Sequence, residues 1–334
     1  MQKRIVSGIQ PTGVGLTLGN YLGAVKPWVD TQHESENLFM IVDSHAITVP
    51  QDPKELHRST LELLATYMAA GIDTEKNTVF VQSHVPAHME LGWILSCLTP
   101  MGWLKRMTQF KDKSGKNTDT VGTGLFTYPS LMAADILLYH ATHVPVGDDQ
   151  KQHVELTRDL AISFNHKFGD VFTVPEPVIP KVGARIMSLR DGSKKMSKSD
   201  PSDMSRINLS DSAEVISDKI KRAKTDTGVM PSVGEDYKER LEVKNLIDIY
   251  ALLSGNTPDQ VVAEYDGQPF SPFKTALGEV LVEKITPIGA CVTELLGDKA
   301  ELLRLMAKGR DRAISLGQPT LDKVKEVMGF VANP

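Results

Sequence analysis

The sequence predicts an α/β fold: a parallel sheet with crossover helices, followed by a smaller all-helical C-terminal part. Two patterns and the length carry that expectation. Short β-branched runs alternate with helical patterns through the first half, the signature of βαβ units. Strand patterns stop near residue 200, where Ser199 to Asp203 forms a polar, proline-containing break. The 334 residues suit about two domains at roughly 150 residues each. The expected domains are residues 1–200 and 201–334, with the last helix packing back on the first.

Arg4-Ile5-Val6-Ser7 reads as the first strand, and the Gly/Pro loop Gly8-Ile9-Gln10-Pro11-Thr12-Gly13 follows it. Either Thr17 or Thr12 suits the cap of the next helix, where Leu18, Leu22, Val25 and Val29 recur at helical spacing. Leu38 to Val42 is a buried strand ending at Asp43. Pro53 to Gly71 is a helix with Leu56, Leu63, Leu64 and Tyr67 inward. Thr78 to Val81 and His143 to Val146 are further strands, and Gln150 to Phe168 is a long amphipathic helix. In the tail, Asp211 with Glu214 reads as a capping box, and Thr257-Pro258-Asp259-Gln260 as a second. Thr320 is expected to cap a last helix carrying Leu321, Val324 and Met328, which Gly329 stops.

A hydrophobic content of 41% with 24% charged residues is ordinary for a globular chain and argues against disorder. The net charge of −5 argues against a general polyanion coat, though not against a local basic groove. Cys97 and Cys291 stand alone and in no ligand spacing, so a structural zinc site, an iron–sulfur cluster and a disulfide framework are not expected. Ser7, Gly8, Gln10 and Pro11 interrupt any apolar leader after Lys3 and Arg4. No apolar stretch approaches a membrane span. A cytoplasmic protein is expected.

Two segments suggest phosphate chemistry. The loop Gly8–Gly13 leads into Thr17-Leu18-Gly19-Asn20, and a strand–loop–helix start aims backbone N–H groups at an anion. Many α/β proteins carry such a turn for packing alone. The second segment is Lys194-Lys195-Met196-Ser197-Lys198-Ser199, after Arg190-Asp191-Gly192. Its lysines and hydroxyls suit a triphosphate, while by composition it reads as a solvated basic loop.

The order of these residues resembles a known family. Lys195-Met196-Ser197-Lys198-Ser199 is the KMSKS motif of class I aminoacyl-tRNA synthetases, and Thr17-Leu18-Gly19-Asn20 resembles their HIGH motif in its tryptophanyl variant. The likeness extends through Ser7–Gly13, His45-Ala46-Ile47-Thr48, Met107 to Lys113, Met132 to Tyr139 and Val144 to Gln150. It is most specific in the first 200 residues and looser in the tail. Leu18 replaces the usual isoleucine and Asp148 the usual glutamate. Both are mild departures, although Asp148 has the shorter reach.

The resemblance implies a Rossmann-like catalytic domain that binds ATP and tryptophan, and a helical tail that receives the tRNA anticodon. It implies activation of L-tryptophan with ATP, transfer to the 3′-terminal adenosine of its tRNA, Mg²⁺ accompanying the ATP and a homodimer. By resemblance, Gln10, Pro11 and Thr12 line the ATP site, with Thr17, Gly19 and Asn20 at the helix start. Lys195 and Lys198 hold the β- and γ-phosphates, with Met196, Ser197 and Ser199 beside them. Gly147, Asp148 and Asp149 contact adenosine, and Ile186 packs on adenine. Lys111 and Lys113 are weaker phosphate candidates. At ~4 Å and an effective dielectric of ~20, each charge pair is worth roughly 4 kcal/mol before desolvation. A carboxylate attacking an α-phosphorus needs positioning and cationic compensation rather than an enzyme nucleophile, so Ser197 and Ser199 read as donors. No dedicated Mg²⁺ ligand set is expected, since nucleotide and water bind that ion.

Tyr128, Met132 and Asp135 are spaced by four and three, so a helix starting near Pro129 places them on one face. Asp135 then interrupts an apolar stripe of Leu131, Met132, Ile136 and Leu138, which taken alone suits a paired structural charge. With the resemblance, it becomes the acceptor for the indole N–H, a group that only donates. Gln150 becomes the partner of the substrate's α-amino group, and Val144 and Val146 become pocket walls. His45 reads equally as a packed histidine or a neighbour of the site. His84, His88, His140 and His143 form no metal spacing. Lys219, Lys221, Arg222 and Lys224 read as a solvated face or as tRNA phosphate contacts. A regulatory relative that binds without charging tRNA and a tyrosine-specific synthetase are the competing readings. Intact motif lysines and the tail speak against the first, and the residues around Asp135 and Gly147–Gln150 against the second.

Overall fold

In the computed structural model, residues 3–13, 15–107, 121–147, 150–178 and 185–331 are described. Asp148, Asp149, Lys111 and Lys113 lie outside the described residues, as does most of the Met107–Lys113 segment.

Strand β1 (Arg4–Ile9) is followed by a helical segment, α1, that opens as Leu18–Asn20, widens into a π turn at Tyr21–Val25 and continues as Lys26–Thr31. Next come β2 (Glu36–Ile41), α2 (Asp43–Ala46), α3 (Pro53–Ala69), β3 (Thr78–Val81), α4 (Ala87–Leu98), α5 (Met101–Leu104) and α6 (Gly124–Leu137). Strand β4 (His143–Pro145), α7 (Lys151–Phe168) and β5 (Glu176–Val178) complete the α/β part. The five strands pair in parallel in the order β3-β2-β1-β4-β5. The order reverses between β1 and β4, and ligands of open α/β sheets sit at the carboxyl ends of strands at such a switch point. Gln10–Thr12 follow β1 there, and Val146–Gly147 follow β4.

The tail contains α8 (Ala213–Lys221), α9 (Leu241–Ser254), α10 (Pro258–Glu264), α11 (Phe270–Gly297) and α12 (Lys299–Met328). One apolar core joins Leu18, Leu63 and Val79 of the sheet half to Ile216, Leu246, Leu281 and Leu302 of the helical half. α12 runs against β3 so closely that a Cβ at Gly309 would lie 1.7 Å from the Val79 carbonyl oxygen. Only glycine lets backbone meet backbone at that distance. No described helix is long and apolar enough to cross a membrane.

Several local expectations need correction. The strand β5 was not foreseen. α6 starts at Gly124, not near Pro129, which lies inside it. The cap of α8 is Ser212, whose hydroxyl accepts from the Val215 N–H, while Asp211 accepts instead from the Asn208 amide and Lys219. Thr320 caps nothing: α12 is one 30-residue helix capped by Asp298, and Thr320 is buried within it, hydrogen-bonded to the His140 ring. The capping box at Thr257 and Gln260 and the left-handed Gly329 at the end of α12 agree with the sequence reading. The basic cluster of α8 is largely neutralised. Lys219 is 2% exposed between Asp203 at 2.7 Å and Asp211 at 2.6 Å, so its ammonium is closed to a phosphate. Arg222 pairs with Asp218, and Lys224 with Glu242.

Candidate active site

Thr17 and Asn20 lock the start of α1 reciprocally. The Thr17 hydroxyl accepts from the Asn20 N–H at 3.3 Å, and the Thr17 N–H donates to Asn20 Oδ1 at 3.2 Å. This is a capping box with asparagine in the usual glutamate position. Thr17 itself is fully buried, so its work is to shape the turn. Leu16 and Leu18 join the segment Ile207–Leu209 by two backbone hydrogen bonds, which ties this turn to the chain just beyond the lysine motif.

That motif closes over the turn from above. Met196 N–H donates to the Ile186 carbonyl, and Ser188 N–H to that of Lys194, so residues 186–196 fold back as a narrow ribbon. Met196 and Ile186 are its buried anchors. A Cβ built on Gly19 would lie 3.3 Å from Met196 Cβ and 3.7 Å from Ile186 Cβ, so a bare glycine permits the contact between the two motifs. Lys198 Nζ donates to the Thr12 carbonyl at 3.0 Å, with its stem alongside Gly13. Burial lowers the Lys198 ammonium to about 8, against an opposing pull from the Glu62 carboxylate. Lys195 and Ser199 are exposed, Ser197 is half-buried, and the two serine hydroxyls share a 2.9 Å hydrogen bond. Gln10 is exposed, and its carbonyl accepts from the Thr12 N–H, while Pro11 is buried. Lys195, Lys198 and the two serine hydroxyls lie around this loop, with the Glu62 carboxylate near Lys198. Among the described residues, no three His, Cys, Asp or Glu side chains gather to hold a metal.

Beneath the carboxyl ends of β2 and β3 lies the second half of the site. Tyr128, Met132 and Asp135 share α6. Asp135 is 3% exposed and accepts four hydrogen bonds. His45 Nε2 lies 2.7 Å from Oδ2, His88 Nδ1 2.6 Å from Oδ1, and Gln82 Nε2 bridges both oxygens at 2.7 and 2.8 Å. Burial pushes this acid up, but hydrogen bonds and charge from His45 and His88 more than reverse it and hold it at about 2. The bland reading of a mid-stripe acid as a paired charge therefore describes its surroundings correctly. The Tyr128 ring stands edge-on to His45 at 6.0 Å, and its hydroxyl meets His153 Nε2 at 2.8 Å. Met132 is half-buried against the core, and Val144 and Val146 are buried after the switch point. Gln150 is exposed at the start of α7, its N–H donating to the Gly147 carbonyl.

Sequence reasoning gave no site role to Gln82, His88 or His153, and settled none for His45. Three of these four, His45, Gln82 and His88, ring Asp135 from other elements. The whole arrangement combines a glycine-faced turn, two motif lysines and an ionised acid beside aromatic and imidazole rings.

Comparison with known proteins agrees with this architecture. Residues 2–278 match the family model for class I tRNA synthetases (W and Y). The tryptophan–tRNA ligase of Caulobacter vibrioides is 52% identical over 98% of this chain and 95% of its own. That of Rickettsia conorii is 51% identical over 99% of this chain and 100% of its own. The crystal structure of Campylobacter jejuni tryptophanyl-tRNA synthetase, complexed with ADP and tryptophan, superposes with a TM-score of 0.83 at 35% identity. It covers 98% of this chain and 100% of that one.

Proposed function

The chain belongs to the class I tRNA synthetases (W and Y), and from that membership we propose how its residues carry out the tryptophan–tRNA ligase reaction. The tryptophan carboxylate attacks the α-phosphorus of ATP, the bond to the α–β bridging oxygen breaks, and pyrophosphate leaves. A ribose hydroxyl of the tRNA's 3′-terminal adenosine then attacks the acyl carbon of the tryptophanyl-adenylate, the acyl–phosphate bond breaks, and AMP leaves. The observation that carries this reading is the junction of the two motifs, Lys198 on Thr12 and Met196 against Gly19, at the sheet's switch point.

In this reading ATP lies on Gln10–Thr12 and Gly19, with adenine against Ile186 and the ribose toward Gly147. Lys195 and Lys198 follow negative charge onto the departing pyrophosphate, which stabilises the transition state without a covalent enzyme intermediate. Mg²⁺ arrives with the phosphates, and the cationic and hydroxyl lining suits an ion held by nucleotide and water. Asp135 accepts the indole N–H, Tyr128 and Met132 bound the ring, and Gln150 meets the α-amino group. The helical tail takes the tRNA, and the protein works in the cytoplasm.

A homodimer is part of the same proposal. Met89, Trp93 and Cys97 lie four residues apart on α4, with Met101 opening α5, and all are exposed, Trp93 by 73%. Such a stripe is what two copies of one chain bury against each other.

Amino-acid-dependent ATP–pyrophosphate exchange tests the reaction. Tryptophan should support exchange and tyrosine and phenylalanine should fall short by orders of magnitude. Equal or faster exchange with tyrosine, or none with tryptophan, overturns the assignment.

A further inference from the structure

Asp135 is the end of a buried chain that runs away from the pocket. His88, 0% exposed on α4, approaches Asp135 Oδ1 through Nδ1 at 2.6 Å, and its Nε2 meets the Tyr139 hydroxyl at 2.8 Å. Tyr139 is itself fully buried, its ring edge-on to Phe80 at 5.6 Å. We infer that His88 and Tyr139 are positioning residues for amino-acid selection, holding the Asp135 carboxylate in the orientation that accepts an indole N–H. The inference deepens the reading of Asp135 given above and rests on it.

A neutral imidazole carries one N–H. With Tyr139 donating to Nε2, that proton sits on Nδ1 and faces Asp135; in the imidazolium form both nitrogens donate and Tyr139 accepts. Either way Nδ1 keeps its proton toward the acid. Without the tyrosine hydroxyl, Nε2 competes for the proton, and the opposite tautomer would set a lone pair against the carboxylate. His45 donates to the other oxygen from α2, and Gln82 bridges both from the turn after β3. The acid is therefore fixed from three elements, and an angular error here moves the acceptor away from the substrate's single ring donor. A ring without an N–H brings no donor to this acid and sets an apolar edge against a fixed carboxylate. Neither residue reaches substrate in this arrangement; both act through Asp135.

The test compares His88→Leu, which keeps bulk and removes the donor, with His88→Asn, whose amide nitrogen takes the place of Nδ1. Tyr139→Phe and Asp135→Ala accompany them in pyrophosphate exchange. His88→Leu should raise the KM for tryptophan at least ten-fold, leave the KM for ATP within two-fold and erode the preference for tryptophan over phenylalanine. His88→Asn should restore the tryptophan KM to within about three-fold of the parent, and Tyr139→Phe should raise it several-fold. Unchanged tryptophan KM and selectivity in His88→Leu overturn the inference, as does an equal loss toward ATP. Should His88→Leu not fold, Tyr139→Phe decides on the same two constants. If Asp135→Ala keeps its selectivity, the reading of Asp135 fails; if that variant loses it while the His88 and Tyr139 variants do not, only this inference fails.

Discussion

The Lys198 ammonium donates to the backbone carbonyl of Thr12 at 3.0 Å, across 186 residues of sequence. Because burial lowers this lysine to about 8, the charge available to an incoming triphosphate disappears within the alkaline range. Below that value the ammonium is protonated and attracts phosphate; above it a neutral amine offers only a dipole. The KM for ATP should hold steady from pH 6 to 7.5 and rise as pH passes 8. Lys198→Met should raise it roughly ten-fold or more at pH 7 and flatten the rise. An unchanged pH profile in that variant removes Lys198 from the nucleotide site.

Lys195 is exposed beside the same loop, a position from which an ammonium can follow charge onto pyrophosphate. Lys195→Ala should slow adenylate formation about 100-fold or more, as loss of a preorganised charge contact does. Equilibrium tryptophan binding should barely change. Wild-type exchange rates in this variant refute the role.

The acid at the other end of the site titrates far from neutrality. Asp135 is held at about 2 against an ordinary 3.8, so it stays ionised throughout pH 5–9 and gives the tryptophan KM no inflection there. The sign for stability follows from the lowered folded value. Its contribution is complete above pH 4 and is lost as pH falls toward 2. Asp135→Ala should lose most activity and the selection against phenylalanine, read by exchange with both amino acids. Selective tryptophan activation in that variant refutes its role.

What the sequence revealed and what it hid divide along physical lines. Thr17, Gly19, Asn20 and the lysine motif stand out in the sequence only through the family resemblance, because taken alone the first three read as a packing turn and the last as a solvated basic loop. The ring around Asp135 does not stand out even so, since Gln82 and His88 come from other elements 53 and 47 residues away. Periodicity tells which face is buried; it does not tell which polar groups meet there. β5 was hidden by Pro177, which argues against a strand. As an edge strand paired only with β4, it has a free side on which a missing N–H costs nothing. Thr320 after Pro319 imitates a helix start, yet packing of α12 against the sheet half keeps the helix continuous through the proline.

The stripe on α4 predicts an assembly defect with a clear readout. Trp93→Glu places a charge at the centre of the apolar row and should turn a dimer into a monomer at micromolar concentration in sedimentation velocity. Buried charges at an interface core are costly unless paired. A persistent dimer would move the interface elsewhere.

Lys219 and Lys221 stand two residues apart on α8 and should behave oppositely. Lys219 holds two acids together from the interior, Asp211 almost buried and Asp203 half in water. Lys219→Met removes the shared cation, leaving Asp211 on Asn208 and Asp203 on Arg206 and Asn208, and should cost about 2–3 kcal/mol, below the usual buried-pair figure because water screens Asp203. Its effect belongs in the urea midpoint, with tRNA affinity unchanged wherever the protein remains folded. Lys221 is exposed, and Lys221→Ala should leave the midpoint alone. If the tail receives tRNA along this helix, that variant weakens tRNA binding and reduces the salt-dependence slope by about one, as loss of a single phosphate contact does. An unaltered slope would take α8 out of the tRNA surface, while a drop in tRNA affinity from Lys219→Met alone would mean that the buried cluster shapes that surface indirectly.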